Sequence, residues 1–261
     1  MRQGEAMAEI EQPARTSQLA GLAALRLFAA AEVIIAPPAS VGINLAVDEM
    51  LVEAAGAQDR SVLRLWWGDR PTVVIGNSEK PEVVADLPAC ERLGVAIVRR
   101  RSGGGAVLQT AGVLNYSLTA PLASGLDVKA AFVAGALLLV EALARLGLTA
   151  QMRGTSDVAI GERKVSGNAQ ARRRGGLLLH GTVLYDIDMD LLEACLRHPP
   201  REPDYRAGRQ HRDFLTTVRA QAPTATPERL LEALVAAALA LGRQATADAF
   251  WRGCLTAGRG S

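Results

Sequence analysis

This chain has little with which to hold a metal or build a disulfide framework. Its three cysteines, Cys90, Cys195 and Cys254, are odd in number and show no C-x-x-C spacing. That disfavours paired disulfides and a zinc site, and fits a reducing cytoplasm. The three histidines are scattered and suggest no ligand cluster. Excess charge is missing too. A formal net charge of +2 over 261 residues does not describe a general polyanion binder, so nucleic acid is not an expected partner. The most apolar stretch, Leu19 to Pro37, is interrupted by Arg26 and Glu32 and cut short by Pro37-Pro38. Each charge would cost about 3 kcal/mol near a bilayer centre, so no membrane span is expected. Glu5, Glu9 and Glu11 argue against a targeting signal.

Two phosphate-binding signatures are also absent. There is no G-x-x-x-x-G-K-[ST], which excludes a P-loop. Gly103-x-Gly105 is followed by Leu108 where a third glycine should stand, so the dinucleotide fingerprint fails. No internal repeat is visible.

What is present concentrates in Arg99 to Leu118, RRRSGGGAVLQTAGVLNYSL. Gly103, Gly104 and Gly105 lack a Cβ, so a ligand can approach the backbone and successive N–H groups can form an anion nest. Arg100 and its neighbours supply forked donors suited to carboxylate or phosphate. A plain glycine-rich turn with surface arginines fits SGGG alone equally well. A second segment, Ser156 to Gln170, reads SDVAIGERKVSGNAQ. It predicts a hairpin, Ser156–Ile160 and Arg163–Ala169, turning at Gly161-Glu162. Period-two alternation puts Lys164 and Ser166 on one face, with Gly167 leaving room beside them. A lysine and a serine facing a crevice suit a phosphate or acyl-phosphate ligand. An exposed edge-strand lysine is the plainer reading.

Together these segments resemble the lipoate–protein ligase A family of the biotin/lipoate ligase superfamily. The family pattern is approximately R-R-x-S-G-G-G-A-V, G-x-L-N-Y-S, G-x-x-D-[LV], R-K-[IV]-S-G-x-A and H-G-T-[LV]-L. The chain carries these in order at Arg99–Val107, Gly112–Ser117, Gly154–Val158, Arg163–Ala169 and His180–Leu184. Upstream, Asn44–Glu49 looks like the family's N-L-A-x-[DE]-E helix and Pro71–Gly76 like its P-T-V-V-I-G strand. The resemblance runs from about Leu25 to about Val218.

The resemblance implies a two-step reaction. Lipoate, or octanoate, and MgATP form acyl-adenylate and pyrophosphate. A lysine of a lipoyl carrier protein or domain then takes the acyl group and AMP leaves. It assigns Lys164 as the catalytic cation bridging acyl carbonyl and α-phosphate. Arg100, Ser102 and Gly103–Gly105 would hold the acyl head and phosphate, and Val107 and Leu108 would line the adenine or acyl channel. Gly76, Gln109, Ser166, Gly167 and Thr182 complete the expected pocket. Asn115 either fixes the loop or touches ligand. Asp157 either orients adenylate or Mg²⁺ or pairs with a nearby arginine. His180 is a hydrogen-bonded core histidine or, less favoured, a general base. The chain departs from the family at Gln109-Thr110, where many members carry His-Asp, at Ser156, where many carry Asn, and at Asn77, where arginine is frequent. These departures put substrate preference and adenylation efficiency in question.

Strands and helices do not alternate strictly, which predicts an α+β fold with a mixed, mostly antiparallel sheet flanked by helices. Expected strands are Leu25–Leu27 or Val33–Ile35, then Val62–Trp66, Thr72–Gly76, Val95–Arg99, Leu114–Ala120 and Leu177–Tyr185. Expected helices are a first one capped by Asn44 and running to Ala55, then Val128–Leu146, Asp188–Arg197 and Pro227–Leu241. The expected organisation is a mobile extension over 1–24, a ligase-like catalytic domain over 25–219 and a short helical segment over 220–261. That last segment is too small for the accessory domain some family members carry, so a separate small accessory chain is an expected partner. Pro203–His211 reads as a solvated basic loop, with site closure or carrier contact as the other reading.

The rival function is an octanoyl- or lipoyltransferase on the same scaffold, passing the acyl group through a cysteine thioester without ATP. Its thiolate would have to sit near Lys164, and in the octanoyltransferases that resemble lipoate ligases it lies shortly before the position matched by Asp157. No cysteine occurs between Cys90 and Cys195, which favours the ligase. A partner-dependent paralogue is the third possibility. A biotin ligase fits less well, because R-R-R-S-G-G-G replaces that family's G-R-G-R-x-G-R.

Overall fold

Along Val113–Pro121 the apolar residues Leu114, Tyr116, Leu118 and Ala120 alternate with Asn115, Ser117 and Thr119, which gives the sheet two unlike faces. The structure, a computed structural model, describes residues 25, 27–29, 31–122 and 126–257, with backbone alone over 246–257. In chain order the elements are β1 (Ala31–Ile35), α1 (Val41–Gln58), β2 (Ser61–Trp67), β3 (Thr72–Ile75), α2 (Pro81–Val84), α3 (Leu87–Arg92), β4 (Ala96–Arg99), β5 (Ala106–Gln109) and β6 (Val113–Pro121). There follow α4 (Val128–Arg145), β7 (Ala150–Arg153), β8 (Asp157–Ile160), β9 (Arg163–Arg173), β10 (Gly176–Leu184), α5 (Met189–Cys195), α6 (His211–Phe214), α7 (Val218–Gln221) and α8 (Pro227–Ala257).

Seven strands form one sheet in the order β1-β2-β6-β10-β9-β8-β7. Every neighbouring pair in it is antiparallel except β1 with β2. A second sheet of three strands runs β4-β3-β5, with β3 parallel to β4 and antiparallel to β5. This is the α+β architecture that the sequence predicts.

On β2, β6 and β10 the residues Leu63, Leu65, Leu114, Leu118, Leu177 and Leu179 point to one face and are fully buried. They meet Ala134, Leu138 and Leu139 of α4 and Leu230, Leu234 and Leu241 of α8 in the main core. Residues between them, Arg64, Trp66, Asn115, Ser117, His180 and Thr182, face the other way and are buried as well. Helix α1 packs on part of that polar face, where its Asp48 meets Arg64 and Ser117. A smaller core, built on Val73, Ile75, Leu108, Leu192 and Phe214, joins the three-stranded sheet to α3, α5 and α6.

The structure departs from expectation at identifiable points. The helix begins four residues earlier than predicted, because Ser40, not Asn44, is the cap and accepts the N–H of Ile43 at 3.3 Å. Asn44 instead turns inward and donates to the Ala39 carbonyl at 3.0 Å. Of the two N-terminal strand candidates, Val33–Ile35 lies in β1, while Leu27–Ala29 is helical. The short strands β5 and β7 were not expected, since four-residue edge segments carry almost no periodic signal. Helix α8 continues past Leu241 to Ala257. The extension expected over 1–24 lies outside the described residues.

Candidate active site

The polar face carries one continuous cross-strand row. Trp66 pairs with Asn115, Asn115 with Thr182, Thr182 with Gly167, Gly167 with Asp157, and Asp157 with Arg153. Directly opposed residues project from the same face, so the row forms a floor. All of it but Arg153 lines a cavity of about 260 Å³. The opposite lip is the glycine loop, represented by Arg100, Gly104 and Gly105, with Val107, Leu108 and Gln109 of β5 behind it. Lys164 lines the same cavity.

Lys164 gets there by an irregularity. The β8–β9 register shifts between Val158 and Ala159, so Ala159 faces Lys164 while Val158 faces Ser166, and Val165 is left over as a bulge. The bulge reverses the alternation. Lys164 therefore shares a face with Gly167, whereas Ser166 shares one with Val158 in the main core. This corrects the expectation that Lys164 and Ser166 face one crevice. Ser166 is fully buried, its Oγ has no hydrogen-bond partner among the described residues, and it does not line the cavity. Gly167 is the slot for the lysine: a Cβ there would stand 2.7 Å from Nζ and 2.8 Å from Cε. Across that slot Nζ lies 2.8 Å from Asp157 Oδ1. Asp157 thus pairs with a lysine, not with the arginine expected in the structural alternative.

The glycine loop is braced from within. Arg100 Nε donates to Ser102 Oγ at 3.1 Å, Nη2 to the Gly103 carbonyl at 2.8 Å and Nη1 to the Val74 carbonyl at 3.4 Å. Most of its fork is therefore spent on its own loop. Gly104 takes φ +89°, open to glycine, and a Cβ there would meet Arg100 Nη2 at 2.9 Å. Gly76 lies beneath the loop without lining the cavity. Its N–H donates to Gly105 at 3.0 Å, and a Cβ would sit 1.8 Å from the Gly104 carbonyl. Ser102 and Gly103 also lie behind the wall. Asn115 and Gln109 exchange amide hydrogen bonds at 2.7 and 2.9 Å, which fixes β5 on the floor.

His180 Nε2 lies 2.6 Å from Ser102 Oγ, tying the loop to β10. Burial, reinforced by the nearby Arg100 charge, holds its pKa down at about 3. It is a neutral hydrogen-bonded histidine at ordinary pH. Burial also pulls Arg100 down to about 10, still protonated.

The far wall comes from the segment after α5. Arg197, Arg201, Pro203, Arg206, His211, Phe214 and Leu215 all line the cavity. Arg206 is 4% exposed and Phe214 2%. This corrects the solvated-loop reading of Pro203–His211 in part: Arg206 and His211 are buried in the site wall, while Asp204, Ala207, Gly208 and Gln210 stay exposed. The reason is stacking: the Arg206 and Arg209 guanidiniums lie 4.8 and 5.3 Å from the Phe214 ring, and Tyr205 packs on it at 5.1 Å. Tyr205 Oη donates to Asp157 Oδ2 at 2.9 Å. Proline and charge masked this segment in the sequence. Its one legible signal was an aromatic residue, Tyr205, amid the arginines.

Among the described residues the lining includes the cations Arg100, Lys164, Arg197, Arg201 and Arg206 against the single carboxylate Asp157. Such a balance draws anions. Cys90 and Cys195 are buried in the smaller core and do not line the cavity, and burial pushes the Cys195 thiol up to about 11. Among the described residues no group of three or more His, Cys, Asp or Glu is placed to hold a metal. No helix among them is long and apolar enough to cross a membrane.

Fold and site together define an α+β domain with an anion-attracting, partly apolar cavity between a polar sheet face and a glycine lip. The chain belongs to the lipoyl protein ligase A/B catalytic domain family, whose model matches residues 40–239. It is 32% identical over 176 residues to lipoate-protein ligase A subunit 1 of Thermoplasma acidophilum, covering 64% of this chain and 66% of that protein. It is 34% identical over 183 residues to octanoyltransferase LipM of Carboxydothermus hydrogenoformans, covering 62% and 68%. A solved bipartite lipoate protein ligase from Thermoplasma acidophilum, studied with its E2 lipoyl domain, superposes with TM-score 0.70 at 25% identity, over 82% of this chain and 91% of that one. The chain spans just under two thirds of the archaeal subunit and about half of several other curated lipoate-protein ligases.

Proposed function

We propose that this chain is an ATP-dependent lipoate–protein ligase, activating lipoate or octanoate as the acyl-adenylate and passing the acyl group to a lysine of a lipoyl carrier domain. One observation carries the reading: Lys164 and the Gly104–Gly105 lip border a single cavity, and among the described residues no cysteine lines it. In the first step a carboxylate oxygen attacks the α-phosphorus and pyrophosphate leaves with the bonding pair. Two anions must be brought together, so positioning and positive charge do most of the work. The Lys164 ammonium supplies charge at the acyl–phosphate junction in both steps. In the second step the carrier amine attacks the acyl carbon, loses a proton, and AMP departs.

A magnesium ion carried by the nucleotide would neutralise phosphate charge. Asp157 is the lining carboxylate available to it, but its two oxygens already meet Lys164 and Tyr205, which favours a positioning role. The kinship to a ligase subunit and to a bipartite ligase supports a separate accessory chain as partner. The catalytic unit is then 25–219 together with α8, whose Leu230, Leu234 and Leu241 complete its main core.

The test is ATP–pyrophosphate exchange by the purified chain with lipoate, then with octanoate. Exchange dependent on the acid supports the ligase. Silence without the accessory chain and recovery with it supports a split ligase. The kinship to an octanoyltransferase gives the rival its own weight. A hydroxylamine-sensitive acyl adduct on Cys90 or Cys195, formed without ATP, would establish that rival instead.

A further inference from the structure

The segment from Arg197 to Thr216 is strapped onto the β8–β9 hairpin. Leu215 pairs with Lys164, and the Thr216 N–H donates to the Lys164 carbonyl at 2.9 Å. Arg209 Nη2 donates to the Glu162 carbonyl at 3.0 Å and Arg163 Nη2 to the Arg212 carbonyl at 2.8 Å. The strap carries Tyr205 to Asp157. We infer that Tyr205 is a positioning residue: its hydroxyl fixes the Asp157 carboxylate, which holds the Lys164 ammonium across Gly167 beside the glycine lip. The consequence for turnover rests on the ligase reading; the positioning itself does not.

Three features support this. First, the Asp157 carboxylate is divided between two donors, Oδ1 at 2.8 Å from Lys164 Nζ and Oδ2 at 2.9 Å from Tyr205 Oη. A carboxylate held at one oxygen can swing; held at both, it cannot. Second, the phenol is itself anchored. Its ring packs against Phe214 with centroids 5.1 Å apart, Arg153 lies 5.4 Å over its face, and its carbonyl accepts from Arg209 Nη2 at 2.7 Å. Third, burial and the adjacent carboxylate push the phenol well above the ordinary tyrosine range. It keeps its proton and can only donate to an ionised partner. A lysine stem is flexible, and its ammonium is useful at a reaction centre only when that freedom has been removed beforehand. The strap supplies the restraint from outside the sheet, through a contact no strand could make.

Tyr205→Phe keeps the ring and its stacking and removes the one oxygen. The chain has three lysines, Lys80, Lys129 and Lys164. Reductive methylation with formaldehyde and a borane can therefore be followed on each by peptide mass. In Tyr205→Phe, Lys164 should be modified roughly threefold or more faster relative to Lys80 and Lys129, as expected for loss of a charge-assisted restraint. The kcat of pyrophosphate exchange should fall about tenfold, with KM for ATP and lipoate within about twofold. In an Asp157→Asn background the same substitution should change neither readout further. Unchanged Lys164 labelling, or an equal kcat loss in the Asp157→Asn background, would overturn the assignment. So would a melting temperature lowered by more than about 5 °C with all three lysines faster, the mark of a structural prop. A wild-type chain that shows no exchange, with or without an accessory chain, yet gives the Lys164 labelling response, refutes the ligase and leaves the positioning standing.

Discussion

The two faces of the seven-stranded sheet are built from alternate residues of the same strands, yet they follow opposite rules. On one, Leu63, Leu114, Leu118, Leu177 and Leu179 pack into the main core with α4 and α8. On the other, Arg64, Asn115, Ser117, His180 and Thr182 are buried too, and specific partners hold most of them. Ser117 donates to Asp48 at 2.7 Å, Arg64 reaches the same carboxylate at 3.0 Å, and Asn115 is clasped by Gln109. Burying polar groups costs several kcal/mol each unless they are paired. A fold seeking stability alone would have made both faces alike. The difference indicates that the leucine face carries the stability and the polar face the chemistry.

That division can be broken most forcefully at Lys164. An ammonium about 4 Å from a phosphate gains roughly 4 kcal/mol at an effective dielectric near 20, so Lys164→Met should cut acyl-adenylate formation about a thousandfold. The melting temperature should hardly move, because the side chain crosses a glycine slot and supports no core. Near-normal pyrophosphate exchange by the variant would refute the role. The leucine face should respond in reverse. Leu139 is 1% exposed in the main core, and Leu139→Ala should cost about 2–5 kcal/mol in denaturant unfolding. Turnover per folded molecule should stay within about twofold, provided the polar face is independent of it.

A smaller effect is expected from pH. His180 is held at about 3 in the folded chain against an ordinary 6.5. As pH falls below 6.5 the unfolded chain gains a proton that the folded one refuses, so this group's contribution to stability declines, by at most about 1.4 kcal/mol per pH unit. Asp48, raised by burial from 3.8 to about 6, acts in the opposite sense over its own interval. The comparison is therefore wild type against His180→Gln, between pH 7 and pH 5. The variant should lose less stability on acidification, and equal losses would place the histidine's titration elsewhere. Smallest of all, Cys195→Ala should leave acyl transfer within about twofold, since the thiol is buried in the smaller core. A large loss would reopen the thioester route.

Much of this was legible in the sequence for a physical reason. The glycine loop, the Lys164 strand and the His180 strand are contiguous stretches whose residue types carry their chemistry locally. The class of sheet followed from the order of strand and helix signals. Three things were not legible. The bulge at Val165 depends on which residue of β8 opposes which residue of β9, and strict alternation pointed to Ser166 in place of Gly167. The cross-strand row from Trp66 to Asp157 is a matter of register across β2, β6, β10, β9 and β8, elements far apart in the chain. The strap with Tyr205 is built by arginine–aromatic stacking, which leaves no periodicity to read. The helix start was misplaced from Ser40 to Asn44 because either residue can cap, and only the tertiary pull on Asn44 decides between them.

The most direct measurement is a crystal structure of the chain with a non-hydrolysable lipoyl-adenylate analogue carrying a sulfamoyl linkage. Lys164 Nζ should lie within hydrogen-bond distance of the acyl–sulfamoyl junction, with the Gly104–Gly105 backbone on the other side of it. An analogue seated away from either element, or failing to bind alongside the accessory chain, would contradict the assignment of this cavity.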